Sequence, residues 1–282
     1  MSSLNSDLQQ AATWLRAADG LLITAGAGMG IDSGLPDFRG PGGFWAAYPA
    51  LGRARIAFES IANPAAFASE PALAWGFYGH RLDLYRRTEP HPGFRLLLGM
   101  AAEKPHGAWV FTSNVDGQFA TAGFAAERIC EIHGSIHHLQ CSQPCCDAIW
   151  PASEFRPDVD EEHCRLRNDA PHCPRCAAIA RPNILMFNDG NWIDRRTALQ
   201  YQRLHRWLGS VERLVRIELG AGTHIPTVRR FSEQAGGRLI RINPLEAALP
   251  DPACGLSLPL GALAACQALA NSLSHPAQTN PT

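Results

Sequence analysis

Cysteine, histidine, glycine and paired polar residues carry the chemical possibilities of this chain. Cys141-Ser142-Gln143-Pro144-Cys145-Cys146 precedes Cys173-Pro174-Arg175-Cys176, and two close cysteine pairs on an irregular loop suit structural zinc, which takes four thiolates at tetrahedral corners. The second pair is a regular C-x-x-C knuckle. In the first, Cys141 pairs with Cys145 or Cys146; the shorter loop favours Cys145, with Cys164 and His163 as competitors. The expected ligands are therefore Cys141, Cys145, Cys173 and Cys176. The stretch between the pairs is charged and poor in apolar residues, so it needs such a staple to fold.

A second group of residues suits an anion. Leu21-Leu22-Ile23-Thr24 runs into glycines at 26, 28, 30 and 34, and glycines at the end of a buried strand let backbone N–H groups approach a phosphate closely. A following helix N-terminus is expected to add its positive end. Ser113-Asn114-Val115-Asp116-Gly117 follows another apolar run, Trp109–Thr112, and polar groups at strand ends are where open α/β sheets place ligand contacts. His133-Gly134 closes a third run. Tyr78 and Arg81, three apart on a helical stretch, share one face. Arginine's planar fork suits a carboxylate, with the tyrosine hydroxyl as a second donor.

The elements that must hold these residues read as follows. Residues 6–19 form an amphipathic helix with Leu8, Ala11, Ala12 and Leu15 on one face; 39–48, rich in Gly and Pro, is expected to be a loop beside the nucleotide site. Residues 56–87 are helical, broken at Asn63-Pro64 and Glu70-Pro71, and 94–102 is another helix. Strands are expected at 21–24, 109–112, 128–132, 214–219 and 238–242, a strand-like stretch over 181–189 and a helix over 194–207. Residues 271–282 are expected to be a disordered tail.

Composition bounds the rest. In 282 residues, 46% hydrophobic and 18% charged content describe an ordinary globular α/β protein of one or two domains. A net charge of −1 gives no electrostatic footprint for nucleic acid or an anionic membrane. The polar start, MSSLNSDLQQ, lacks a signal peptide's basic and apolar regions, and no run approaches the roughly 18 apolar residues of a membrane span. The expectation is a cytoplasmic protein with no nucleic-acid or membrane partner, whose cysteines bind metal rather than form disulfides.

The glycine stretch and its tail, Gly26-Ala27-Gly28 to Ser33-Gly34-Leu35-Pro36-Asp37-Phe38-Arg39-Gly40, resemble the sirtuin signature GAG-x-S-x-x-SGIPDFRG, with Gly30 where the signature has serine. Thr112 to Phe119 resembles the family's TQNIDGLH, with Ser113 for Gln and Phe119 for His. Residues 181–189 resemble RPxVVWFGE, a stretch that pairs with the substrate peptide, with Asn188-Asp189 for Gly-Glu. The resemblance covers roughly residues 10–270. It implies a discontinuous Rossmann-like NAD-binding domain (10–45, 92–140 and 181–270), a helical insertion (46–91) and a zinc-binding module (141–180).

It also implies roles. Gly26, Ala27, Gly28, Asp37, Phe38, Arg39, Ser113, Gly222, Thr223 and Asn243 would contact NAD, Asn114 and Asp116 would hold nicotinamide and ribose, and His133 would be the general base. An unperturbed histidine pKa of about 6.5 suits that task. Tyr78 and Arg81 resemble the Y-x-x-R of sirtuins that prefer succinyl, malonyl or glutaryl lysine. The implied activity is NAD-consuming deacylation of protein lysine, giving nicotinamide and O-acyl-ADP-ribose. Mono-ADP-ribosyl transfer, NAD hydrolysis and a non-catalytic NAD-binding module stay open as alternatives.

Overall fold

A computed structural model describes residues 2–36 and 40–275. Asp37, Phe38 and Arg39, three of the expected cofactor contacts, lie outside the described residues, as do 276–282 of the expected tail.

Five apolar runs become strands because each is buried on both faces, as a parallel sheet covered by helices requires. The strands in chain order are β1 (Gly20–Ala25), β2 (Ala108–Thr112), β3 (Ile129–Glu131), β4 (Gly134–Cys141), β5 (Ile149–Pro151), β6 (Val159–Asp160), β7 (Arg165–Leu166), β8 (Ala180–Ile184), β9 (Leu214–Leu219), β10 (Arg238–Ile242) and β11 (Gly255–Leu258). Six of them form one sheet in the order β11-β10-β9-β1-β2-β3, every neighbour parallel. The chain leaves β1 towards β2 and β3, then returns to β1's other edge with β9. That reversal puts a crevice at the carboxyl ends of β1 and β9, where open α/β sheets bind ligands.

Helices α1 (Ser2–Ala17), α7 (Pro92–Ala102) and α11 (Ala262–Ser274) cover one face, and α9 (Arg195–Leu208) and α10 (Thr227–Gln234) the other. Ala11, Ala12 and Leu15 are fully buried, as the amphipathic pattern requires. On β9 and β10 three charges are buried as well. Arg241 holds Glu218 through two bonds (2.6 and 3.1 Å) and reaches Glu233 of α10 at 2.7 Å, so the pair is satisfied rather than stranded.

The second lobe has its own core. It contains α2 (Gly40–Ala47), α3 (Pro49–Arg53), α4 (Phe58–Ile61), α5 (Pro64–Ser69) and α6 (Pro71–Arg87), together with the antiparallel sheet β5-β4-β8 and the hairpin β6-β7. Phe44, Phe67, Trp75, Phe77 and Tyr78 pack against Ile136, Leu139, Cys164 and Ile184. Two glycines in α6 permit this. A β-carbon on Gly76 would stand 2.1 Å from the carbonyl oxygen of Cys164, and one on Gly79 2.8 Å from Pro157.

Several expectations change. Residues 40–47 are helical, not a loop; burial of Phe44 against Phe77 outweighs the weak propensity of Gly and Pro. The turn after β1 continues as a 3-10 helix, Ala27–Ser33, not an α-helix. Residues 134–140 and 181–184 leave the parallel sheet to pair with each other, so the helical insertion and zinc module share one core with these strands. Residues 271–274 end α11 instead of starting a disordered tail. No described helix is long and apolar enough to cross a membrane.

Candidate active site

The two glycine turns at the switch point are packed backbone to backbone. Gly28 N–H donates to Gly220 O (3.0 Å) and Gly26 N–H to Leu219 O (3.0 Å). Gly220 has φ +59°, and a β-carbon there would meet Gly28 at 2.4 Å, so only glycine fits. Ala27 is exposed and Gly28 half-buried at the crevice.

Past β9, Gly222 is half-buried and Thr223 exposed; Thr223's hydroxyl donates to the Glu246 carboxylate, a residue the sequence reading did not single out. Asn243, 1% exposed, spends its amide inside the protein: Nδ2 donates to Ala221 O (3.0 Å), and Oδ1 accepts from Leu245 and Glu246 N–H. Its geometry is that of a brace between the two loops.

Asn114 and Asp116 follow β2. Asn114 Nδ2 donates to Gly26 O (3.0 Å), and its backbone N–H to Thr112 Oγ1 (3.0 Å), tying this loop to the glycine turn. Ser113 is half-buried, its N–H on Ala25 O. The Asp116 carboxylate accepts from Gln118 N–H (2.8 Å), while its carbonyl accepts from His137 Nε2 (2.7 Å). Burial pushes the Asp116 carboxyl up to about 6, with Glu131 pushing the same way and the Gln118 bond and the Arg81 charge opposing.

His133 lies just past β3, the strand beside β2. Ile132 N–H bonds Thr112 O (2.9 Å) and Ile136 N–H bonds Val115 O (3.1 Å), so the loops carrying His133 and Asp116 run side by side. Leu185 N–H holds the His133 carbonyl (2.9 Å), and Gly134, at φ +80°, lets Asn183 O come within 2.1 Å of where a β-carbon would stand. Burial lowers the His133 pKa, which keeps the imidazole neutral at neutral pH and able to take a proton.

Across the cleft, Arg81 of α6 is 8% exposed. Its Nε and Nη2 donate to Tyr85 Oη (3.0 and 2.7 Å), and its guanidinium lies over the rings of Phe77, Tyr78 and Tyr85. Tyr78 is 1% exposed, and burial pushes its phenol up to about 12. Tyr85 was missed in the sequence, although 78, 81 and 85 form one helical stripe that could have revealed it.

The four expected metal ligands converge. Their sulfur atoms all lie within 4.8 Å of one another, with Cys141–Cys176 and Cys145–Cys173 at 3.6 Å. A tetrahedron with Zn–S of about 2.3 Å needs sulfurs about 3.8 Å apart, so the donors fit zinc and leave no open position. Cys145 is thus chosen over Cys146, and Cys164 is buried in the second core instead.

The Sir2 family profile matches residues 26–212. Among relatives, an NAD-dependent protein deacylase of Methylococcus capsulatus is 36% identical over 176 residues, 62% of this chain and 63% of that protein, just under two thirds of its length. The mitochondrial NAD-dependent protein deacylase sirtuin-5 of Danio rerio is 29% identical over 216 residues, 71% of this chain and 67% of that protein. The fold is similar to a solved Sir2 homologue–NAD complex, with a TM-score of 0.71 and 23% identity over 94% of this chain and 93% of that one.

Proposed function

This chain belongs to the Sir2 family, and from that premise we propose that it removes acyl groups from protein lysine while consuming NAD. The observation that carries the reading is the convergence of three loops: the glycine turn after β1, Asn114-Val115-Asp116 after β2, and His133 after β3. The relatives' names, NAD-dependent protein deacylase, support it.

NAD supplies an ADP-ribosyl group and a nicotinamide leaving group. Gly26, Ala27 and Gly28 offer the close backbone approach for its phosphates, with Gly222 and Thr223 on the facing loop. In this reading Asp37, Phe38 and Arg39 contact NAD as the signature implies, and Asn243 acts by fixing the 221–223 loop. Asn114 and Asp116 orient nicotinamide and ribose. His133, neutral because buried, accepts a ribose hydroxyl proton. The zinc cluster holds the small lobe and takes no part in the chemistry.

For the acyl group, Arg81 and Tyr85 favour an acidic chain such as succinyl or malonyl. The Arg81 charge also lowers the Asp116 pKa, against the burial that raises it. Tyr78, whose ring lies under the guanidinium, stays in this reading as the hydroxyl donor expected from sequence.

The test is mass spectrometry after incubation with NAD and acetyl- or succinyl-lysine peptide. O-acyl-ADP-ribose supports the reading. Free ADP-ribose alone, or ADP-ribosylated protein without peptide deacylation, replaces it with hydrolysis or ADP-ribosyl transfer.

A further inference from the structure

Gln118 opens the short helix α8 (Gln118–Thr121) two residues after Asp116, and is 2% exposed. Its backbone N–H is used by the Asp116 carboxylate. Its side-chain amide is not used: neither Nε2 nor Oε1 has a hydrogen-bond partner among the described residues. A buried polar group left unpaired is costly, so a primary amide with both ends orphaned calls for a cause.

The amide faces the glycine turn. A β-carbon on Gly30 would stand 3.6 Å from Gln118 Oε1 and 3.0 Å from Leu35 Cδ1. Two departures from the family pattern meet at this contact. Gly30 stands where the signature has a serine, and Gln118 where TQNIDGLH has its leucine. The turn carries no hydroxyl at this position, and the helix opposite carries an amide.

The chemistry of the orphaned group narrows what satisfies it. A planar amide presenting one donor and one acceptor side by side is matched by another primary carboxamide, through two antiparallel hydrogen bonds. A carboxylate offers acceptors only, and a methyl ketone lacks the donor. The next residue in the helix is apolar: Phe119 packs on Phe94 with ring centroids 4.9 Å apart.

We propose that Gln118 is a positioning residue for the carboxamide of nicotinamide, working beside Asn114 and Asp116. This rests on the NAD-consuming reading above. Gln118 then takes over, from the helix side, a polar contact for which Gly30 has no side chain.

The experiment measures affinities by calorimetry for NAD, its 3-acetylpyridine analogue, which keeps the carbonyl but has no amide N–H, and ADP-ribose as control. The wild-type protein is compared with Gln118→Leu, the residue of the family pattern, and Gln118→Met, close in shape. One hydrogen bond at stake predicts a preference for NAD over the analogue that falls about three- to tenfold in both variants. ADP-ribose affinity should change by no more than about twofold. An unchanged preference overturns the proposal and leaves the amide to solvating water. Equal loss for all three ligands also overturns it, making Gln118 structural. Failure of the wild-type protein to bind even ADP-ribose sinks the NAD reading itself, a different result from either.

Discussion

Replacing Arg81 with methionine is the sharpest test of acyl selectivity. Methionine is unbranched and apolar, so it can occupy much of the guanidinium's place between Phe77, Tyr78 and Tyr85 without adding a buried charge. What vanishes is a cation at the mouth of a buried site. At about 4 Å and an effective dielectric near 20, it attracts a carboxylate by about 4 kcal/mol; measured losses on truncating such pairs run about 2–5 kcal/mol. At about 1.4 kcal/mol per decade, kcat/KM for succinyl peptide should fall by roughly thirty- to several-thousandfold. Arg81 also lowers the Asp116 pKa, now about 6, so its removal moves that carboxyl higher and slows every substrate near neutral pH. Measured at about pH 8.5, above that shift, the ratio of succinyl to acetyl kcat/KM isolates the acyl contact. Arg81→Lys should fall between, keeping the charge but losing the fork on the Tyr85 hydroxyl. Equal losses on both peptides at that pH would refute the reasoning and leave Arg81 as a brace for α6.

Four further outcomes are expected. His133→Ala should lower turnover by about 10²–10⁴-fold while circular dichroism stays native; because burial lowers the His133 pKa, the acidic limb of kcat/KM should lie below the usual histidine value of about 6.5. Asp116→Asn should stabilise the fold at pH 8 by up to about 3 kcal/mol. The folded-state pKa of about 6 is raised, so native stability is full below the unfolded value of about 4 and declines as pH rises through 6; the gain in Tm should vanish by pH 4. Cys173→Ser with Cys176→Ser should abolish bound zinc by elemental analysis, and full occupancy would reject the four-cysteine assignment. Gly76→Ala, whose methyl would meet Cys164 O, should cost about 1–3 kcal/mol in chemical denaturation, and an unchanged midpoint would show that the hairpin can move aside.

Much of the fold was legible because buried parallel strands are continuous apolar runs: 214–219 and 238–242 match β9 and β10 to the residue. The glycine turns and the C-x-x-C were legible because their chemistry tolerates few alternatives. What hid was whatever tertiary contact decides. β4, GSIHHLQC, is half polar because a buried residue such as Gln140 is spent on internal bonds, accepting from Asn183 Nδ2 and Ile193 N–H, and β11 is only Gly255–Leu258. α2 reads as a loop until Phe44 finds its aromatic neighbours. Tyr85 and Gln118 needed partners, or the absence of partners, to be seen.

The position of β1 has a consequence for synthesis. Its second edge pairs with β9, and Arg213 N–H bonds an Asp19 carboxylate 194 residues earlier in the chain. A ribosome therefore releases β1, the helical half of the second lobe, β2 and β3, and then the metal-stapled half of that lobe, before the strand that seals the centre of the sheet exists. Throughout that interval an apolar strand edge is bare, the kind of surface that recruits other chains. Zinc capture does not cover that edge, but it folds the lobe beside it and so takes the lobe's own unfolded chain out of the exposed surface during the interval. Metal starvation during expression should appear as aggregation of nascent chains before it appears as lost catalysis.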